Sequence, residues 1–243
     1  MENKTQLCIN ESQKKYILKK FEEESSQSHQ NVWKKRQYAP MNIHKEELCD
    51  IKKQVEELYP DYRILFDVVF QSSGISTDWH CDYESLGPFI IEDKYCAIKK
   101  SYFTSIHFNL TQDGGSLTTL PSPYISYVYY FIISTFGIFS MIHVFVNYLF
   151  KPIFNVYSTK HTNKPGVGNL FDNMRLHSVT NGAPRISYVI RLVRKKSVLI
   201  SSKSIREGIK RSDACLAFVP LLDSVPENPI YACDIDWEII FKE

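Results

Sequence analysis

What the 243-residue sequence lacks narrows its class before any motif is read. Its six cysteines, at 8, 49, 81, 96, 215 and 233, form no CxxC pair and no dense framework. That excludes a disulfide-stapled secreted scaffold and fits reduced thiols in a cytosol. Met1 to Lys20 contains no apolar leader, so the chain is expected to be intracellular and cytoplasmic. Charge of either sign is not in excess: 29 basic against 27 acidic residues give +2, which disfavours a nucleic-acid partner. No internal repeat is present, which excludes a solenoid. What is there is a globular composition, in a chain long enough to bury a core without metal or disulfide staples.

Residues 1–60 are expected to form a helical region packing on a core at 61–200, with a helical extension over 201–243. Leu48, Ile51, Val55 and Leu58 recur at helical spacing, with Asn42 as the expected cap and Glu46 and Glu47 near the positive end. From Tyr62 the texture changes to short β-type runs at 64–70, 102–110, 116–120, 169–176 and 186–193. Asp113-Gly114-Gly115 is expected to close a hairpin between the second and third. Strands with glycine turns after a helical start predict a mainly β sandwich or barrel with flanking helices. A C-terminal helix is expected near 204–210.

One segment does not fit a simple sandwich. Tyr124 to Phe150 runs 27 residues without Asp, Glu, Lys or Arg. As one helix it would be roughly 40 Å long, enough to cross a bilayer's ~30 Å hydrocarbon layer. Ser126, Ser134, Ser140, His143 and Asn147 interrupt the apolar surface, and Gly137 is placed to divide the run.

Thr77-Asp78-Trp79-His80-Cys81-Asp82-Tyr83 contains His-x-Asp, whose outer residues point the same way on a strand and can face one metal. The motif alone is cheap, since seven histidines give about one such match by accident. His44-Lys45-Glu46 is read as that accident. What distinguishes His80 and Asp82 is the later Gly166 to Val179 stretch bearing His177, followed by Arg185-Ile186-Ser187. Two histidines and one carboxylate with open positions are the donor set of non-haem Fe(II) sites that activate oxygen. Arg185 can hold a carboxylate by a forked pair, with Ser187 adding a hydroxyl.

These residues, in this order, resemble the Fe(II)- and 2-oxoglutarate-dependent dioxygenases from about Tyr62 to Val193. The resemblance implies a double-stranded β-helix (jelly-roll, cupin-like) core with a helical apolar insertion at 124–154. It implies that His80, Asp82 and His177 ligate iron and that Arg185 and Ser187 bind the far carboxylate of 2-oxoglutarate, with O2 as the second co-substrate. Gly114-Gly115-Ser116-Leu117 resembles the Gly-Gly turn of prolyl-hydroxylase-like and phytanoyl-hydroxylase-like members. Two departures stand out: 94 residues separate Asp82 from His177, and much of that length is the apolar run. A single membrane span there would put His80 and His177 on opposite sides, so the span and a shared metal exclude each other. A packed insertion, an interfacial or re-entrant membrane contact through 124–150, and a true span without the metal site are the three readings.

His107, Tyr95, Tyr102 and Asn109 are further candidates for the barrel interior, His107 equally as a structural histidine. Cys81 should face away from the iron and pack. Arg191 shares the Arg185 face at the six-residue spacing of nucleic-acid demethylases, but is read as a surface charge beside Arg194, Lys195 and Lys196. The expected reaction is hydroxylation of a small, lipophilic organic substrate with release of succinate and carbon dioxide. Prolyl-type side-chain hydroxylation is the alternative. The second alternative is an inactive membrane-associated or scaffolding protein on the same fold.

Overall fold

The computed structural model describes residues 7–25, 37–72, 79–81, 98–111, 115–136, 141–162, 164–180, 184–195, 199–200 and 230–231. The strands among these residues are β1 (Gln37–Met41), β2 (Tyr62–Ser72), β3 (Phe103–Asn109), β4 (Ser116–Thr119), β5 (Thr159–Thr162), β6 (Gly168–Phe171), β7 (His177–Thr180), β8 (Arg185–Arg194), β9 (Leu199–Ile200) and β10 (Ile230–Tyr231). The α-helices among them are α1 (Glu11–Ser25), α2 (Cys49–Leu58), α3 (Pro123–Phe136) and α4 (Met141–Tyr157).

Two antiparallel sheets form the core, one ordered β1-β2-β8-β3-β6 and the other β5-β4-β7. The pairs are nested: β2 lies on β8, His80 bridges His177 of β7, β3 lies on β6, and β4 lies on β5. A chain doubled back in this way, β2 beside β8 around the inner pairs, is a jelly-roll. Residues alternate across each sheet, so each strand contributes one outward and one inward row.

The outward row of the larger sheet, including Val69, Ile106, Phe108, Tyr188, Ile190 and Leu192, packs beneath Ile17 and Phe21 of α1 and Ile51 and Val55 of α2. Burying each such side chain stabilises by about 1.5–3 kcal/mol. Helix α1 starts with a reciprocal cap: Gln13 N–H donates to Asn10 Oδ1 at 2.9 Å and Asn10 N–H to Gln13 Oε1 at 3.0 Å. Helix α2 starts at Cys49 after a short turn at Glu46–Leu48 and has no side-chain cap. Asn42 therefore does not cap it as expected. Its Oδ1 accepts the His44 N–H at 3.0 Å, because a short polar side chain closes an Asx turn more readily than it reaches seven residues on.

Two other expectations are corrected. The run 169–176 is not one strand: β6 stops at Phe171, and Asp172 Oδ1 accepts the Met174 N–H at 2.9 Å to turn the chain into the other sheet. Nor do β3 and β4 pair as a hairpin, since they lie in different sheets; Asp113 and Gly114 themselves lie outside the described residues. Within the first 60 residues, β1 pairs with β2 beside the helices. The expected helix near 204–210 lies outside the described residues.

The apolar run is divided. Helix α3 ends at Phe136 and α4 begins at Met141, flanking Gly137, and among the described residues no helix is long and apolar enough to cross a membrane. Tyr129 of α3 and Phe154 of α4 pack with Trp79, Leu120 and Leu176, next to β4 and β7 of the smaller sheet.

Candidate functional site

The inward rows of the two sheets meet in the jelly-roll interior, and the site is built from them. On β8 that row holds Arg185, Ser187, Val189 and Arg191. Opposite them in register stand Asn109, His107 and Ser105 of β3 against Ser187, Val189 and Arg191 respectively. Phe70 of β2 faces Ser187 from the other side, and its ring lies 6.0 Å from that of His107.

His80 and His177 are joined by reciprocal main-chain bonds, His80 N–H to His177 O at 2.9 Å and His177 N–H to His80 O at 2.8 Å. Their ring centroids are 4.4 Å apart. The His177 Nδ1 lies 2.9 Å from the Arg175 carbonyl. A carbonyl only accepts, so Nδ1 carries the proton in this contact. The Phe171 and His177 rings meet edge to face, their centroids 5.2 Å apart.

Each histidine is positioned by residues whose role is not visible in the motif. The Asp172 to Leu176 turn sets His177: Arg175 Nε donates to Asp172 Oδ2 at 2.9 Å, Ser101 Oγ donates to the same oxygen at 2.6 Å, and Arg175 Nη1 donates to the Pro121 carbonyl. His80 is set through Trp79, whose N–H donates to Asn147 Oδ1 at 3.1 Å and whose carbonyl accepts the Tyr129 hydroxyl at 2.6 Å. The helical pair thus grips the residue before His80. The signal available in the sequence was Asn147 itself, the polar break in an apolar run.

Ser187 and Arg185 are buried. Among the described residues the Ser187 hydroxyl and the His107 Nδ1 have no hydrogen-bond partner. Burial, then the charges of Arg185, Arg191 and His177, push the His107 pKa down to about 3, so this ring is neutral at physiological pH. Arg185, Arg191 and His177 therefore all act on the His107 ring. An orphaned buried hydroxyl beside a buried guanidinium fits a carboxylate, and two converging imidazoles fit a divalent metal.

Of the expected site residues, His80, His177, Arg185 and Ser187 are described, and Asp82 lies outside the described residues, as does Tyr95. Among the described residues no group of three His, Cys, Asp or Glu side chains could hold a metal ion. Arg191 is not the surface charge expected. It is half-buried on the inward row and donates from Nη1 to Ser105 Oγ at 2.8 Å, because alternation along β8 overrides its proximity to Arg194. Asn109 is engaged with the Thr111 main chain, donating to its carbonyl at 2.7 Å. Tyr102 is buried in the core. Cys81 packs with the Trp79 cluster on the outward side.

No family model matches the chain, and no curated protein matches it. Solved structures do. HygX from Streptomyces hygroscopicus with nickel and 2-oxoglutarate bound is 9% identical, over 78% of this chain and 81% of that one, at a TM-score of 0.48. The non-haem alpha-ketoglutarate-dependent epimerase SnoN from nogalamycin biosynthesis is 13% identical, over 76% and 74%, at 0.47. A prolyl hydroxylase from Trichoplax adhaerens, in complex with a hypoxia inducible factor peptide, is 12% identical, over 78% and 82%, at 0.45. The chain is similar to these proteins at low identity, while its jelly-roll is fixed by its own nested strand pairs.

Proposed function

We propose that the chain is an Fe(II)- and 2-oxoglutarate-dependent oxygenase that hydroxylates a small, lipophilic organic substrate in the cytoplasm, releasing succinate and carbon dioxide. The observation that carries this reading is the convergence of the His80 and His177 rings, 4.4 Å apart, in the interior that also receives Arg185 and Ser187. His80, Asp82 and His177 would hold the iron, and Arg185 and Ser187 the far carboxylate of 2-oxoglutarate. Bound together, the metal and co-substrate supply oxidative decarboxylation and the oxidant that attacks a substrate C–H bond. In this reading residues 61–200 are the catalytic core, with the apolar insertion at 124–154, and 1–60 and 201–243 pack around it.

The chain's own part is positioning. Arg175 fixes the His177 ring through its carbonyl, and a ring held in this way would be oriented to serve as a metal ligand. Arg185 presents a planar fork to one carboxylate and Ser187 donates its otherwise unpartnered hydroxyl. His107 stays neutral, so it adds a polar contact without a further charge. Phe70, Phe171 and Val189 line the same space and exclude water from it.

Anaerobic addition of Fe(II) and then 2-oxoglutarate to the purified protein tests the reading. A weak visible charge-transfer band is expected, abolished in His80→Ala and weakened in Arg185→Ala. Succinate release against lipophilic small molecules and against proline-containing peptides then separates the two substrate classes. No band in folded wild-type protein would sink the oxygenase reading and leave a membrane-associated or scaffolding role.

A further inference from the structure

Helices α3 and α4 carry apolar side chains on both sides. Ser126 and Asn147 point inward beside Tyr129 and Phe154, where the Ser126 Oγ accepts the Leu176 N–H at 3.0 Å and Asn147 grips Trp79. Further apolar side chains point out. On α4, Phe145, Tyr148, Leu149, Ile153 and Val156 recur at i, i+3, i+4, i+8 and i+11, an unbroken stripe in which Tyr148 is 80% and Val156 76% exposed. On α3, Tyr124, Val128 and Phe131 form a second exposed stripe at i, i+4 and i+7. A soluble helix places its polar side toward water, and contiguous exposed apolar surface of this kind marks a contact.

Charge identifies the occupant. Between Asp113 and Asp172 the sequence has no acidic residue, while Lys151, Lys160 and Lys164 lie within it. Lys151 sits on α4 itself and Lys160 three residues beyond its end, and both are exposed. Lys151 flanks the α4 stripe rather than lying in it, and the stretch offers no carboxylate to pair a second copy's lysines, so self-association here is disfavoured. An anionic lipid surface supplies the missing negative charge, takes up the aliphatic stripe, and suits the tyrosine hydroxyls at the headgroup level. We propose that the outward stripes of α3 and α4 lie in the plane of an anionic membrane surface, anchoring the protein without spanning it. This does not rest on the oxygenase reading.

Flotation of the purified full chain with vesicles of phosphatidylcholine alone, or containing about a third phosphatidylserine, tests it. Each lysine near an anionic surface is worth about fivefold in partitioning, so binding to the anionic vesicles is expected to be at least tenfold tighter and to weaken with salt. Tyr148→Glu with Val156→Glu should abolish it, and Lys151→Glu with Lys160→Glu should remove the preference for anionic lipid. All four positions are exposed, and unchanged urea unfolding midpoints will show that the variants are folded. Glu56→Gln on α2, distant in the fold, should bind as wild type. Absent binding, or equal binding to both vesicles, overturns the proposal. So does a wild-type dimer that Tyr148→Glu with Val156→Glu converts to monomer without any lipid binding, which would assign the stripe to a second copy.

Discussion

His107 on the inward row of β3 and Asp67 on the outward row of β2 are buried groups whose titrations oppose each other. Burial and the two arginines hold His107 at about 3, against an ordinary 6.5. Between those values the unfolded chain takes up a proton that the folded chain refuses, so stability falls as pH falls. Burial pushes Asp67 up to about 6 from 3.8, although the Tyr188 hydroxyl at 2.8 Å and the Ile43 N–H at 3.1 Å donate to it. Here the folded chain keeps a proton that the unfolded chain has lost, so stability falls as pH rises from about 3.8 through about 6. Urea midpoints between pH 4 and 7 should therefore show a shallow dependence in wild type. Asp67→Asn should steepen the acid loss, and His107→Phe should reverse the slope so that stability declines with rising pH. Arg185→Lys replaces a fork by a point charge, and on the oxygenase reading it should weaken 2-oxoglutarate binding about 10- to 100-fold while leaving metal affinity intact, measured by titration calorimetry. Alternation alone makes the inward direction of Arg185, Ser187 and His107 legible in the sequence. Asp172 and Arg175 were not legible, because they act on His177 through a turn and a carbonyl rather than through a motif.

Elements were legible where their hydrophobic period was unambiguous, as in α2, β2 and β8, and obscure where tertiary pairing decided. Nothing local distinguishes Asn169 to Leu176 as one strand from the observed strand, turn and strand; the Asp172 side chain and the partner sheets make the choice. The apolar run is divided beside its glycine, but the inward direction of its polar residues depends on main-chain groups of Trp79 and Leu176 far away in sequence. Asn147→Ala should expose that dependence. It leaves the buried Trp79 N–H without its acceptor, and a loss of about 1–3 kcal/mol is expected by urea unfolding. Because Trp79 precedes His80, Co(II) affinity should drop more in this variant than in Ile153→Ala on the exposed side of the same helix. Equal affinities would refute the link between helix and site. Gly168 on β6 marks a close approach: a Cβ there would lie 2.8 Å from Phe108 Cε1 and 3.0 Å from Ile106 Cγ2. Gly168→Ala should cost about 1–3 kcal/mol by overpacking, and an unchanged midpoint would show that Phe108 can swing aside.

For the whole molecule, the nested pairing makes the outermost contact also the longest in sequence, β2 on β8, and the site straddles two of the nested layers. His80 and His177 lie in one sheet and Arg185 and Ser187 in the other, so a metal and a dicarboxylate bound together would tie the sheets across the interior. Such ligands bind only the folded arrangement, since the unfolded chain leaves the two histidines far apart. Each therefore stabilises by mass action, and at a hundredfold excess over its dissociation constant contributes about 2.7 kcal/mol. For a chain of this length that corresponds to a Tm rise of about 5–10 °C. Thermal unfolding with Mn(II), with 2-oxoglutarate, and with both should, on the oxygenase reading, show the largest shift for the pair, because metal and Arg185 would hold the co-substrate together. His177→Ala should lose the metal-dependent part and Arg185→Gln the co-substrate part. A wild-type Tm unmoved by either ligand would mean that the two sheets are not bridged, and that the converging histidines serve the fold alone.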